Sequence, residues 1–410
     1  MNIRISKRKL FIIIILFFIT MPVYLYTNFR YIGTLMALVQ YYLFGLMILN
    51  MIRTRFKGAS PVFWMLLLTV IVEIISSYRN PLAMPTDAIK IGVKTVGWIW
   101  LMDKELKRDS EFFVKAYTFF QVIYVIMNFL TLIIFPNGMY QSGAYSSCYF
   151  LGYDNTHINV QLPAIALITI RSIWKYGKVS VKAWGFILIV LISTLITFSA
   201  TSVVGISIFI GGLIIIFPRK KKKNYKLIKI PSPLSSFTIF GIISALFIGG
   251  STFAGLKERL LNLFGKDATL AARTLIWENS LLNISKEFVW GYGYESGETI
   301  SSKLVNISGQ AGWGLSPHNF YLAILYTGGI VLFITVIITF IMVNHKYSIA
   351  TNTVVKMIIG LWIFSFMCMC VVESHYGNSI RTLLLFSYYI LKNETQKELC
   401  GMSRRCEGEI

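Results

Sequence analysis

A chain of 410 residues that is 55% hydrophobic, 15% aromatic and only 14% charged, with a mean hydropathy of +0.65, is too apolar to be a water-soluble protein of that size. Its net charge of +21 would suit nucleic acid if the cations were gathered on one folded face, but they lie in short connections between apolar runs, which argues against a nucleic-acid partner. Five cysteines without paired or zinc-type spacing support neither a disulfide framework nor a structural metal site.

The expectation is therefore an all-α, polytopic integral membrane protein. Apolar runs of roughly 15 to 25 residues, long enough to cross a bilayer, lie at 10–27, 31–51, 61–77, 88–102, 112–135, 158–173, 183–200, 201–217, 235–256, 318–343, 354–372 and 380–392, about twelve spans in all. The basic start, Arg4, Lys7, Arg8 and Lys9, precedes no small-residue cleavage site and reads as a retained anchor. With the N-terminus inside, the cytoplasmic connections carry Arg53, Arg55 and Lys57, then Lys104, Lys107 and Arg108, then Arg171, Lys175, Lys178 and Lys182, and finally the "PRKKKKNYKLIK" run at 218–229. The outward connection 136–157 has no Lys or Arg. An excess of cations marks the cytoplasmic side, so both termini are expected there, with the run at 219–223 facing anionic membrane lipid. The chain divides into nine spans over 1–256, a large extracytoplasmic loop over 257–317, three spans over 318–392 and a cytoplasmic tail over 393–410.

A connection as long as 257–317 is more often functional than incidental. In "TLAARTLIWENSLLNISKEFVWG", Leu270, Trp277, Leu281, Ile284 and Phe288 recur at helical spacing and form one stripe of an interfacial helix. At about 100° per residue, Arg273 falls within about 60° of the stripe's centre. Its guanidinium is then either directed inward or snorkels to lipid phosphate. Gly291, Gly293 and Gly297 in "GYGYESG" open no βαβ unit and read as a flexible turn rather than a nucleotide loop.

The stretch "GWGLSPHNFYLAILYTGGI" then begins a span. Ser316 reads as its N-cap, Pro317 as the first helical residue, and His318 and Asn319 as part of the first turn. Free amides and the positive end of the helix dipole disfavour imidazolium there and attract phosphates, a setting for a neutral base beside an anion site. The plainer alternative is an interfacial histidine with satisfied hydrogen bonds.

Ionisable groups within spans are costly and need a reason. Lys90 and Lys94 share one helix face, and Glu73 lies in the preceding span. They form either a cationic wall for a phosphorylated lipid or a structural pairing with Glu73. Arg79 and Arg381, at outer span ends where cations are disfavoured, are secondary candidates for anion contact. His157 and His375 read as structural, and Asp154 as a turn residue.

"ARTLIWENSLLNISKEFVWGYGYES", followed by "SPHNFYLAILYTGGI", resembles the O-antigen ligase and polysaccharide polymerase superfamily (Wzy/WaaL-like) over roughly 265–335. The Arg-x-x-x-Trp helix, the Gly-x-Gly turn and the His-Asn start are specific in combination and weak singly. The resemblance implies a GT-C-like, metal-independent glycosyltransferase without cofactor in the bacterial cytoplasmic membrane. Such an enzyme moves a glycan from an undecaprenyl diphosphate carrier to an acceptor hydroxyl on the outer side, with chain-length regulator and flippase proteins as partners. By resemblance, Arg273 contacts the diphosphate, His318 is or adjoins the catalytic base, and Trp277 and Asn319 belong to the substrate-binding motif.

Two departures follow. The family's "T-x-S-R" segment is "TFSATSVVG" here, with Ala200 after Ser199, so a second cation must come from Lys90, Lys94 or Arg381. The ligase pattern also calls for two glycines three apart, whereas Gly329 is followed by Leu332, which leans toward a repeat-unit polymerase for O-antigen or capsule. A ligase of the same superfamily and a lipid-linked oligosaccharide flippase remain the alternatives. Absence of paired carboxylates at glycosidase spacing in the outward segments disfavours hydrolysis.

Overall fold

The computed structural model describes residues 6–55, 57–142, 145–217, 229–249, 267–305 and 316–406. The basic run at 219–223, Arg4, and the loop segments 250–266 and 306–315 lie outside those residues. Four-fifths of the structure is helical, and the apolar runs lie largely on helices, with the run at 235–256 described only as far as Gly249. Helices α1 (Lys7–Ile19), α2 (Val23–Asn28) and α3 (Arg30–Arg53) lead into α4 (Pro61–Arg79) and the long α5 (Pro85–Ile134). The segment between the two apolar runs of α5 is helical except at Asp109, whose carboxylate accepts the Phe112 amide at 3.1 Å and so restarts the helix.

The fold is all-α, with one local addition in the next connection, where β1 (Tyr140–Ser142), β2 (Tyr145–Tyr149) and β3 (Gly152–Tyr153) form a small antiparallel sheet in the order β1-β2-β3. Tyrosines and small polar residues there lack the 3.6-residue apolar period, and the strands pair antiparallel instead.

The second half continues through α6 (Asp154–Tyr176), α7 (Val181–Thr197), α8 (Ala200–Ile216) and α9 (Pro233–Gly249). The loop contributes α10 (Asp267–Lys286) and α11 (Gly297–Leu304), and the chain ends with α12 (Phe320–Ile349), α13 (Thr353–Met369) and α14 (Asn378–Cys406). Among the described residues, four helices (α3, α4, α5 and α12) are long and apolar enough to cross a membrane, and α7, α8, α9 and α13 are shorter apolar helices. Helix α14 is the centre of the bundle, with Leu383, Leu385, Phe386, Tyr389 and Leu391 all buried. Helix α3, by contrast, turns Leu38, Leu49 and Ile52 outward, the apolar exterior expected of a helix facing lipid.

The feature that fixes the loop is a break in α12. Gly328 and Gly329 leave helical geometry, with Gly329 at φ 59° and ψ −160°, a combination open essentially to glycine alone. The backbone groups freed by the break are taken up by the Gly-x-Gly turn. Tyr292 N–H donates to Tyr326 O (2.7 Å), Gly293 N–H to Thr327 O (2.8 Å), and Ile330 N–H to Phe288 O (2.9 Å). The same turn is held to the end of α4, where Asn80 donates to Tyr292 O (2.8 Å) and Ser77 Oγ accepts from Tyr294 N–H (2.8 Å). In place of the flexible turn expected at Gly291 and Gly293, the structure shows a clip. Non-helical backbone at membrane depth is tolerated only when other protein groups satisfy it, and here the loop does so.

Buried Glu295 adds a side-chain anchor to the clip. It pairs with Lys303 and accepts from Tyr326 Oη (2.7 Å) and Asn80 Nδ2 (2.7 Å). A Cβ on Gly329 would sit 2.3 Å from Val289 O, and one on Gly291 2.6 Å from Tyr326 O. Gly329→Ala should therefore destabilise by more than about 1 kcal/mol, read as a lowered Tm in detergent and faster proteolysis of the loop. Gly211→Ala, where a Cβ meets open space, serves as the control, and equal behaviour of the two variants would contradict the clip.

Candidate active site

The first turn after α13 is where the chemistry gathers. The last carbonyls of a helix lack intrahelical partners and carry the negative end of its dipole. Here Cys370 O accepts from Phe320 N–H (2.9 Å), Val371 O from Asn319 Nδ2 (2.8 Å), and Val372 O from Arg273 Nη1 (2.6 Å). The next residue, Glu373, adds its carboxylate, with Oε1 receiving Arg273 Nη2 (2.7 Å) and Oε2 facing His318 Nδ1 (3.3 Å). A loop guanidinium, an imidazole and a buried carboxylate thus meet where α10, the start of α12 and the end of α13 converge.

Asn319 is the N-cap of α12, since its Oδ1 accepts from Tyr321 N–H (2.9 Å) and Leu322 N–H (3.1 Å). This corrects the expectation that Ser316 caps the helix with His318 in its first turn. Asn319 wins because its amide serves both partners, capping the helix with oxygen and bonding Val371 O with nitrogen, while a serine offers a single hydroxyl. His318 stands just before the helix at φ 45°, a left-handed conformation that histidine adopts more readily than most residues. Ser316 Oγ accepts from the His318 N–H at 3.4 Å and so supports this turn from behind.

Burial alone pushes the Glu373 carboxyl above its ordinary value of 4.5, but the His318 hydrogen bond and the Arg273 charge outweigh it and hold the group at about 2. Because the folded value is depressed, the stability Glu373 contributes is complete above 4.5 and is lost only as pH falls through about 2. Neighbouring His375 is buried. Burial pushes its imidazole down, partly opposed by Glu373, and its Nε2 has no partner among the described residues.

Sequence reasoning misses Glu373, and also Asn155, whose Nδ2 reaches Glu373 Oε1 at 3.4 Å. Ser199 Oγ donates to Asn155 Oδ1 and receives Ser202 Oγ at 3.0 Å. The "TFSATS" segment therefore does approach the site, through neutral hydroxyls rather than a cation at Ala200. An acidic residue closing an apolar run in "VVESHYGN" is the available signal for Glu373.

The other candidate residues lie elsewhere. Arg381 is buried on α14, ion-paired with Glu73 and donating from Nε to Thr69 Oγ1 (3.1 Å). Tyr376 joins that network, donating to Glu73 and meeting Phe320 edge to face, so Arg381 lies beneath the same turn that carries Glu373. Glu73 is thus the partner of Arg381, not of the lysines. Lys90 is exposed and pairs with Asp87 one turn earlier (2.9 Å), and Lys94 lies over the Tyr41 ring at 5.4 Å. Arg79 is exposed over Trp290 at 5.6 Å, against the clip. Trp277 is only 1% exposed and packs with Ile276, Ile284, Tyr292, Leu304 and Tyr326 in a core of the loop's own, its indole N–H without a partner among the described residues.

The predicted stripe on α10 is also shifted. Ile276, Trp277, Ser280 and Ile284 are buried, whereas Leu281 is 43% and Phe288 51% exposed. The loop packs on α12 through the former set and leaves the latter outside, and Arg273 is on the inward side of the helix. His157 is buried in α6, its Nε2 at 3.0 Å from Gly152 O and its Nδ1 at 3.4 Å from Asn128 Nδ2, a bracing contact for the turn before that helix.

Fold and site together define an integral membrane protein with one loop clamped over a charged cluster at the end of its helical bundle. Residues 184–337 match the family model described as O-Antigen ligase, which supports the O-antigen ligase/polysaccharide polymerase superfamily for that part of the chain. The match runs from α7 to the middle of α12 and includes Arg273, His318 and the α12 break, while Glu373, Asn155 and Arg381 lie beyond it. No curated protein and no solved structure matches the chain.

Proposed function

We propose that the protein is a membrane glycosyltransferase that moves a glycan from a polyprenyl diphosphate carrier to an acceptor sugar hydroxyl, acting as a repeat-unit polymerase on the outer side of the bacterial cytoplasmic membrane. The observation that carries this proposal is the convergence of Arg273 and His318 on Glu373. With Nδ1–H donated to the Glu373 carboxylate, the lone pair of His318 is on Nε2, which has no partner among the described residues. Nε2 takes the proton of the acceptor hydroxyl as its oxygen bonds the anomeric carbon. The bond from that carbon to the diphosphate oxygen breaks, and the electron pair leaves with the polyprenyl diphosphate. Attack opposite the departing group inverts the anomeric centre. The buried carboxylate orients the ring and balances the charge it gains.

Arg273 stabilises the leaving diphosphate. A guanidinium has five N–H donors, and the contacts to Val372 O and Glu373 use two of its nitrogens, so further N–H groups remain for phosphate oxygens. Arg273→Lys keeps the charge but not the two-pronged hold. It should lower kcat/KM about ten-fold, the effect of one hydrogen bond between charged groups, and an unchanged value would favour a lipid-facing role for Arg273.

The family description favours a second possibility, ligation of a finished glycan to a different acceptor. Incubating the purified protein with a synthetic undecaprenyl diphosphate repeat unit separates the two. A ladder of products supports the polymerase. A single product that forms only when a lipid acceptor is added supports the ligase, and no transfer under either condition overturns both.

A further inference from the structure

A second charged site lies at the opposite end of α4. That helix has 19 residues, about 28 Å at 1.5 Å per residue, so the site is close to a membrane thickness from the clip. A cavity of about 370 Å³ opens there between the end of α3, the connection to α4 and the middle of α5. Its lining includes Lys57, Lys104, Lys107 and Arg108, with Thr54 and Asn50 as neutral donors and Met51 and Trp100 as apolar wall.

The carboxylates near this cavity are already engaged. Asp103 in its lining accepts from Ser60 N–H (3.2 Å) on Oδ2, and from the Ser60 hydroxyl and Tyr389 Oη (2.7 Å) on Oδ1. Glu105 is paired with Arg8, and Asp109 with Lys9 at 3.5 Å. Among the described residues no carboxylate lies within ion-pairing distance of Lys57, Lys104, Lys107 or Arg108. Lys107 donates to Gly58 O (3.0 Å), and Lys104 lies over Trp100 (4.7 Å). Four cations around one concavity outnumber its one carboxylate, Asp103, which is held by neutral donors and ion-pairs with none of the four, and the surplus positive charge calls for a mobile anion.

The walls say which kind of anion. The volume is in the range of small-ligand pockets and far exceeds that of a bare phosphate. Helix α3, which supplies Asn50 and Met51 to the lining, turns Ile48, Leu49 and Ile52 outward beside them, 41%, 65% and 64% exposed. An apolar track facing the bilayer thus leads to the cationic mouth. We propose that this cavity seats the phosphate of an anionic phospholipid, with the acyl chains along α3. The assignment is independent of the transferase chemistry, and it fits the cytoplasmic orientation expected for Lys57, Lys104 and Arg108.

Trp100 in the wall provides the readout. The detergent-purified full chain is titrated with dibrominated phosphatidylglycerol or dibrominated phosphatidylcholine while tryptophan fluorescence is followed. Half-maximal quenching should need about ten-fold less of the anionic lipid, as expected for a few cations near one headgroup. Trp100→Phe should abolish the difference. Lys104→Gln with Arg108→Gln should reduce it to less than about two-fold, while Lys104→Arg with Arg108→Lys, which keeps both charges, should retain it. Equal quenching by the two lipids in the wild type overturns the proposal, as does wild-type preference in a double-Gln variant whose Tm is unchanged. Displacement of phosphatidylglycerol by millimolar inorganic phosphate would assign the cavity to a free ion and overturn the lipid.

Discussion

His318→Asn should lower the rate of glycan transfer by about 10²- to 10⁴-fold, the usual contribution of a positioned general base, with little change in Tm. Asparagine is the informative replacement because His318 sits at φ 45°. An alanine there would add backbone strain of roughly 1–2 kcal/mol and confuse a folding defect with a catalytic one, whereas asparagine tolerates the left-handed region and carries no basic nitrogen. His318→Ala should be equally inactive but less stable. The expected signature is a fall in kcat with KM for the lipid-linked donor nearly constant, since the proton is transferred only as the new bond forms. Polymer of wild-type length from the Asn variant would remove His318 from the role of base.

The second large effect should come from Glu373. Glu373→Gln keeps the size and an acceptor but removes the charge to which both Arg273 and His318 are directed. Two consequences combine. The ring loses the carboxylate that fixes its tautomer and balances its developing charge, and the guanidinium is left partly buried against one carbonyl. A loss of about 10²- to 10⁴-fold in kcat is expected, together with a lower Tm because a buried partner has been withdrawn. Glu373→Asp separates the two roles. It restores the charge but is one methylene short of serving Arg273 and His318 together, so stability should recover more than rate. Full activity in both variants would show that the carboxylate merely braces the turn.

Because Glu373 is held at about 2, it remains ionised across the whole range in which such an enzyme can be assayed. Any acid limb in the rate profile above pH 4 therefore belongs to another group.

Much of this site is legible in the amino-acid sequence, and the reason is locality. Arg273 and His318 stand inside short motifs whose spacing alone places them at a helix face and a helix start. Glu373 and Asn155 cannot be found that way. Their roles exist only because the end of α13 meets the start of α12, and because α6 begins beside both, contacts between positions 55 and 218 residues apart. The same limit explains Glu73. The partners its sequence neighbourhood suggests are Lys90 and Lys94, yet the bundle brings it to Arg381, 308 residues away. Periodicity finds α10 but not its buried face, since Leu281 and Phe288 satisfy the helical count equally well until α12 determines which side is covered. The basic residues flanking the spans carry a topology signal, and nothing in their spacing reveals that four of them surround a single cavity.

The bonds between the Gly-x-Gly turn and α4 join residues more than 200 positions apart in the chain. During synthesis, then, Ser76, Ser77 and Asn80 are made long before the segment that will satisfy them, and α4 waits with a polar tip that water or another protein must accommodate. This end of the bundle can be completed only after α12 has entered, so the clip is a late closing step in assembly. A nascent chain halted before Gly329 would lack both the break that receives the turn and α14, the centre of the bundle, and would leave the polar tip of α4 uncovered, a ready substrate for a membrane protease.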